Sequence, residues 1–172
     1  MNVTRRTTLG ALAAGSLAGM GLPARAQAAN TLRFHQMLPP QATIPAKAIV
    51  PWAQKVERES GGRIRVPHFP AMQLGGRPPE LFDQAKDGVV DLIWTVLGYT
   101  PGRFPKSEVF ELPFSTGNAE AGSRAFQEYV ETHAMDEFKD VKLICVHIHG
   151  PGLFHSKDPV SRLEDLKGMK VR

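Results

Sequence analysis

PAMQLGGRPPELFDQAKDGVVDLIWTVLGYTPGRFPKSEVFELPF, residues 70–114, is the stretch on which the fold turns. Gln73-Leu74-Gly75-Gly76 precedes a helix-like run over 80–87 that stops at Gly88. Residues 89–97, VVDLIWTVL, are nearly continuously apolar and rich in β-branched side chains. That is the pattern of a strand covered on both faces of a parallel sheet. Gly98-Tyr99-Thr100 follow its C-terminal end, and open α/β sheets bind ligands outside those ends. The stretch predicts a small-molecule site beside its own strand.

Upstream, residues 31–37 read as a strand ended by Leu38-Pro39-Pro40, and residues 63–69 as a second strand closed by Pro70. Between them lies a helix to about Ser60, with Thr43 as its expected cap and Gly61-Gly62 beyond its end. Ile49, Ala53 and Val56 give it one apolar face, and Pro51, lacking an N–H, should kink it or delay its regular start. The resulting β-α-β-α-β order predicts an α/β fold with a mostly parallel, doubly wound sheet.

Downstream, residues 100–114 hold three prolines and read as an ordered loop. Asn118 starts a helix to about His133, with Ala121, Ala125, Phe126, Tyr129 and Val130 on one side, and 134–138 add a further turn. Residues 141–149 are the next expected strand, broken by Gly150-Pro151-Gly152. A short helix ends at Gly168, and 169–172 open a further strand.

The formal charge is +4, but Arg5, Arg6 and Arg25 supply three of those charges, and from Ala29 onward 18 basic residues oppose 17 acidic ones. Nucleic acid is not an expected partner, because a binder shows a concentrated basic face. Cys145 is the only cysteine, so no intrachain disulfide forms, and its expected place is a small buried strand residue. Residues 1–28 carry the parts of a secretory signal: Arg5-Arg6, a short apolar run over 9–22, and small residues for cleavage near Ala26 or Ala28. Thr4-Arg5-Arg6-Thr7-Thr8-Leu9 is similar to a twin-arginine signal, with Thr8 where a Phe is usual. Periplasmic export is the expectation, and no other segment is apolar enough to span a bilayer.

MQLGG, DGVVDLIW, YTPGRFP and ELPF, in this order and spacing, resemble the substrate-binding proteins of TRAP transporters, the DctP-like periplasmic receptors. The similarity runs from about Leu32 to Arg172. It implies a type II periplasmic-binding-protein-like architecture. Residues 29–150 would form the first α/β lobe and 151–172 the start of a second, incomplete lobe, the chain stopping where that lobe is being built. It further implies capture of an organic acid, delivery to the membrane subunits of the transporter, no cofactor and no catalytic step.

The same resemblance directs attention to single residues. LEDLKGMKVR is similar to the family stretch whose last residue, here Arg172, holds the ligand carboxylate. A planar guanidinium suits that task because it donates two parallel hydrogen bonds and stays charged. Trp94 and Tyr99 lie where the family's pocket wall is expected, although an aromatic at a strand end is commonly core. Phe114 can pack on the core or on the ligand, whereas Arg103 and Phe104 are expected to build the loop. Cys145, His147 and His149 alternate along one strand face. With His155 they offer a metal-binding alternative, but His149 and His155 flank the Gly-Pro-Gly bend and are preferred as pocket groups, with His35 a weaker candidate. Gly152 stands where sialic-acid-type and dicarboxylate-type receptors commonly carry a second arginine. One guanidinium with several histidines suits a monocarboxylate or an aromatic acid. An exported enzyme using His149 or His155 as base is the remaining alternative, although no nucleophile–base, H-E-x-x-H or phosphate-loop motif is present.

Overall fold

A computed structural model describes residues 29–170. The two upstream strands are each divided. β1 (Asn30–Thr31) pairs in parallel with β3 (Ile64–Arg65), and β2 (Phe34–Gln36) with β4 (His68–Phe69). Asn30 faces Ile64 and Phe34 faces His68, so both halves keep one register and form a single interrupted ribbon. The break lies at Pro67. The N–H groups of Leu32 and Phe34 reach the carbonyls of Arg65 and Pro67, but Pro67 has no N–H to return, so the ladder lapses there.

β5 (Leu92–Trp94) lies on the other side of β2, again in parallel, with His35 opposite Ile93 and Gln36 opposite Trp94. The order β4-β2-β5 puts the earliest strand in the middle, as double winding requires. β5 is shorter than the expected 89–97 because its flanks have other partners. The N–H groups of Val89 and Val90 both turn back to the Gln84 carbonyl, and Leu97–Tyr99 coil into a 3-10 turn. All three β5 residues are half-buried, so the strand is not covered on both faces among the described residues. Arg33 fastens its start, donating from its backbone N–H and from Nε to Asp91 Oδ2 at 2.7 and 3.0 Å.

α1 (Val50–Glu59) is preceded by a π-helical turn, Pro45–Ile49, in which the Val50 N–H reaches the Pro45 carbonyl. This is the late regular start expected of Pro51. Thr43 does not cap the helix: Ile44 and then Ile49 hold the N-cap positions, without side-chain bonds, because the chain enters already coiled. The helix ends in a Schellman motif. Gly62 and Gly61, both at positive φ, donate to Glu57 and Arg58. Ile49 and Ala53 pack with Phe34 and Val66 in one core cluster.

α2 (Leu81–Lys86) buries Leu81 and Phe82, and α3 (Ala119–Tyr129) begins where the Asn118 side chain accepts the Ala121 N–H. α3 continues into a π turn, Val130–Ala134, and a 3-10 turn, Met135–Phe138. Its buried face runs through Gly122, Phe126 and Val130, while Ala121 and Ala125 are exposed, so the expected face is rotated. Gly122 decides the rotation, since a Cβ there would collide with Ile148 Cδ1. Phe82, Phe104, Phe126, Val130, Ala134 and Phe138 form the second cluster. In it Phe104 sits edge-on to Phe82 and stacked on Phe138, with ring centres 5.0 and 5.3 Å away.

Residues 141–149 are extended but join no ladder. α3 meets their backbone instead: Val146 N–H donates to Gln127 Oε1 at 2.8 Å and Ile148 N–H to Ser123 Oγ at 3.0 Å. One helical turn rises about 6 Å over four residues and two extended residues span about 6.6 Å, so the partners match in spacing. The same face that binds backbone leaves Cys145 exposed, contrary to its expected burial. Residues 150–160 have no regular structure, and Leu163–Leu166 make a 3-10 turn before Gly168. Among the described residues no helix is long and apolar enough to cross a membrane.

Candidate ligand site at the strand ends

Because β2, β4 and β5 are parallel, Gln36, Phe69 and Trp94 end on one side of the sheet. The loop after β4 folds over this side: the Ala71 and Met72 N–H groups donate to the Leu38 and Gln36 carbonyls at 3.0 and 3.1 Å. Both residues hold left-handed backbone, φ 51 and 57°, a conformation that disfavours side chains other than glycine. Two hydrogen bonds keep them there.

His35 is fully buried in β2 rather than at the sheet's open end. Its Nδ1 lies 2.8 Å from Gln84 Oε1, and its Nε2 is 3.3 Å from the Leu74 N–H. Gln84 gives its amide N–H to the Gly75 carbonyl, so its Oε1 accepts and His35 Nδ1 donates. Both ring nitrogens thus tie the sheet to α2 and to the loop over 70–76. Next to it, buried Gln36 donates to the Leu38 carbonyl at 2.9 Å and to His68 Nε2 at 3.1 Å. Burial holds the His68 pKa below its ordinary value of 6.5.

Trp94, the last β5 residue, donates its indole Nε1–H to His147 Nε2 at 2.7 Å. Tyr99 stands half-exposed in the following 3-10 turn. His149 is exposed with Nδ1 against the Gly150 carbonyl, and His155 is exposed in the irregular segment. Neither makes a hydrogen bond to Trp94 or Tyr99. Phe114 packs on nothing: it is fully exposed at 102% with φ 65°, so neither core nor pocket wall receives it among the described residues. Arg172 lies outside the described residues, as does the whole of 1–28. Cys145, His147 and His149 share the exposed edge that their alternation requires, but no three His, Cys, Asp or Glu side chains converge to hold a metal among the described residues.

The loop over 100–114 is held by charge and aromatic packing. Arg103 makes a two-pronged contact with Asp83, at 3.1 and 2.6 Å, and its guanidinium lies 4.8 Å over the Phe82 ring. These bonds lower the Asp83 pKa and raise that of Arg103. Glu137 accepts the Lys106 and Ser107 N–H groups and the Ser107 hydroxyl, at 2.6, 3.1 and 2.7 Å. Arg103 and Phe104 hold the loop against α2 and the second cluster.

A family model, DctP, described as bacterial extracellular solute-binding protein, family 7, matches residues 34–172. The chain belongs to the DctP family. Among solved structures, a TRAP solute-binding protein from Rhodoferax ferrireducens T118, in complex with copurified benzoate, is 58% identical with a TM-score of 0.71, covering 74% of this chain and 40% of that one. A marine metagenome TRAP solute-binding protein specific for aromatic acid ligands, with 3-hydroxybenzoate, is 52% identical with a TM-score of 0.77, covering 83% and 45%. The outer membrane transporter protein TsaT of Comamonas testosteroni is 28% identical over 99% of this chain and 49% of its own length. The chain spans about half the length, or less, of the relatives it matches.

The parallel order β4-β2-β5 and the helices between its strands are the α/β architecture of TRAP periplasmic binding proteins. DctP-family proteins are solute receptors of the periplasm rather than enzymes. What sequence reasoning does not show is the pairing of His147 with Trp94. His147 reads as a possible metal ligand or one of several pocket histidines, and only the tertiary placement of 141–149 brings it to Trp94. Its alternation with Val146 and Ile148 was the one signal that it would face outward.

Proposed function

We propose that this chain belongs to a periplasmic receptor that captures an aromatic monocarboxylate and hands it to the membrane subunits of a TRAP transporter. The carrying observation is that the 58% and 52% identical structures hold benzoate and 3-hydroxybenzoate. A 31% identical receptor from Bordetella bronchiseptica holds mandelate, also an aromatic monocarboxylate. Gly152, in the place of a second arginine, supports one carboxylate rather than two.

In this reading residues 29–150 form the first lobe and 151–172 begin the second. Arg172 pairs with the carboxylate, Trp94 and Tyr99 line the ring's side, and His149 and His155 orient the remainder. His35 supports the wall from behind, and Phe114 reaches the ligand only if its turn folds inward. Residues 1–28 direct export and are removed near Ala26 or Ala28. Closing two lobes on one acid shifts the population toward the closed state, because the acid contacts both at once. No chemical step is involved.

The test is a thermal melt of the full chain against benzoate, 3-hydroxybenzoate, mandelate and succinate. Ligand at 100 times its Kd stabilises the folded state by about 2.7 kcal/mol. The aromatic acids should raise the midpoint, succinate should not, and Arg172→Ala should abolish the shift. The acids should be recovered unchanged. A shift from succinate alone, or turnover of a bound acid, would overturn the reading.

A further inference from the structure

Trp94 and His147 meet in an unusual way. Their ring planes are 18° from parallel and their centres 5.9 Å apart, yet Nε1 and Nε2 are only 2.7 Å apart. Face-to-face rings would keep their atoms roughly 3.5–4.0 Å apart. The nitrogen–nitrogen distance plus the two centre-to-nitrogen radii accounts for the ring separation, so the rings lie edge to edge, nearly in one plane. Indole Nε1–H can only donate, which makes His147 Nε2 the acceptor and leaves the proton on Nδ1. Trp94 also packs against the Phe34 cluster, which fixes it, while His147 is exposed. The result is one flat aromatic shelf, an indole extended by an imidazole, at the C-terminal end of β5.

We propose that this shelf is the surface on which the ring of the ligand lies, and that His147, positioned by the Trp94 hydrogen bond, makes the receptor select flat aromatic acids over saturated ones. The proposal rests on the receptor reading above and adds the residue that sets its specificity. A flat shelf rewards a flat partner. A benzene ring contacts it over one whole face, whereas a puckered cyclohexane ring of the same size and charge touches it at a few hydrogens.

The experiment measures Kd for benzoate and for cyclohexanecarboxylate by calorimetry on the full chain and on His147→Ala and His147→Phe. The wild type should favour benzoate roughly threefold to tenfold, the size of one aromatic pair. His147→Ala should lose that preference chiefly through weaker benzoate binding, and His147→Phe, flat but unable to accept the Trp94 N–H, should recover it only in part. Equal binding of the two acids by the wild type, or a preference untouched in His147→Ala, would overturn the shelf while leaving the receptor reading intact. Failure of the wild type to bind either acid would sink both. Independently, the ring-nitrogen NMR shifts of His147 should show an unprotonated Nε2. A proton on Nε2 would exclude the Trp94 bond and the shelf with it.

Discussion

Gly122 is the residue where helix propensity and packing pull in opposite directions. Alanine in mid-helix is normally favoured over glycine by about 1 kcal/mol. Here its Cβ would collide with Ile148 Cδ1 and crowd Thr116, and Ile148 is packed on the second cluster. Overpacking of that kind costs typically 1–3 kcal/mol, so Gly122→Ala should lower stability despite its helical gain, as a denaturant midpoint would show. His68 gives a second test. Burial depresses its folded pKa below 6.5, so between that value and 6.5 the unfolded chain binds more protons than the folded one. His68 therefore contributes full stability above pH 6.5, and that contribution declines as pH falls below it. Denaturation midpoints across this range should fall less steeply in His68→Asn than in the wild type.

At the scale of elements, the loop over 100–114 behaves as core. Phe104 is wholly buried between Phe82 and Phe138. Phe104→Ala should cost about 3–5 kcal/mol, seen as a large fall in the melting midpoint, whereas Phe114→Ala, at a fully exposed site, should change stability little. Local punctuation was legible in the chain: Gly61-Gly62 end α1 and Gly88 stops α2 through positive-φ backbone, and Asn118 caps α3 with its side chain, each a choice that nearest neighbours dictate. Strand lengths were not legible. Whether Val89-Val90 extend β5 or turn back to Gln84 depends on partners distant in sequence, as does the lapse at Pro67, which lies across from Arg33. Residues 141–149 have strand composition but take their bonds from the Ser123 and Gln127 side chains, which no periodicity announces.

Over the whole molecule, alternation of strands and helices made the parallel order β4-β2-β5 readable, and the four motifs of 72–114 pointed to the DctP family to which the chain belongs. The candidate site was legible only in part. Trp94, expected inside a strand over 89–97, ends β5 instead, its partner His147 comes from a segment whose position only tertiary packing decides, and both ring nitrogens of His35 are taken by internal bonds. The proposed function is that of a receptor for an aromatic monocarboxylate. Isothermal titration of the full chain with benzoate, set beside succinate, tests it most directly. Saturable one-to-one binding of benzoate, at least roughly tenfold tighter than that of succinate, a difference of about 1.4 kcal/mol, is the predicted result. Tighter binding of succinate, or no binding of benzoate at any concentration, would contradict the account.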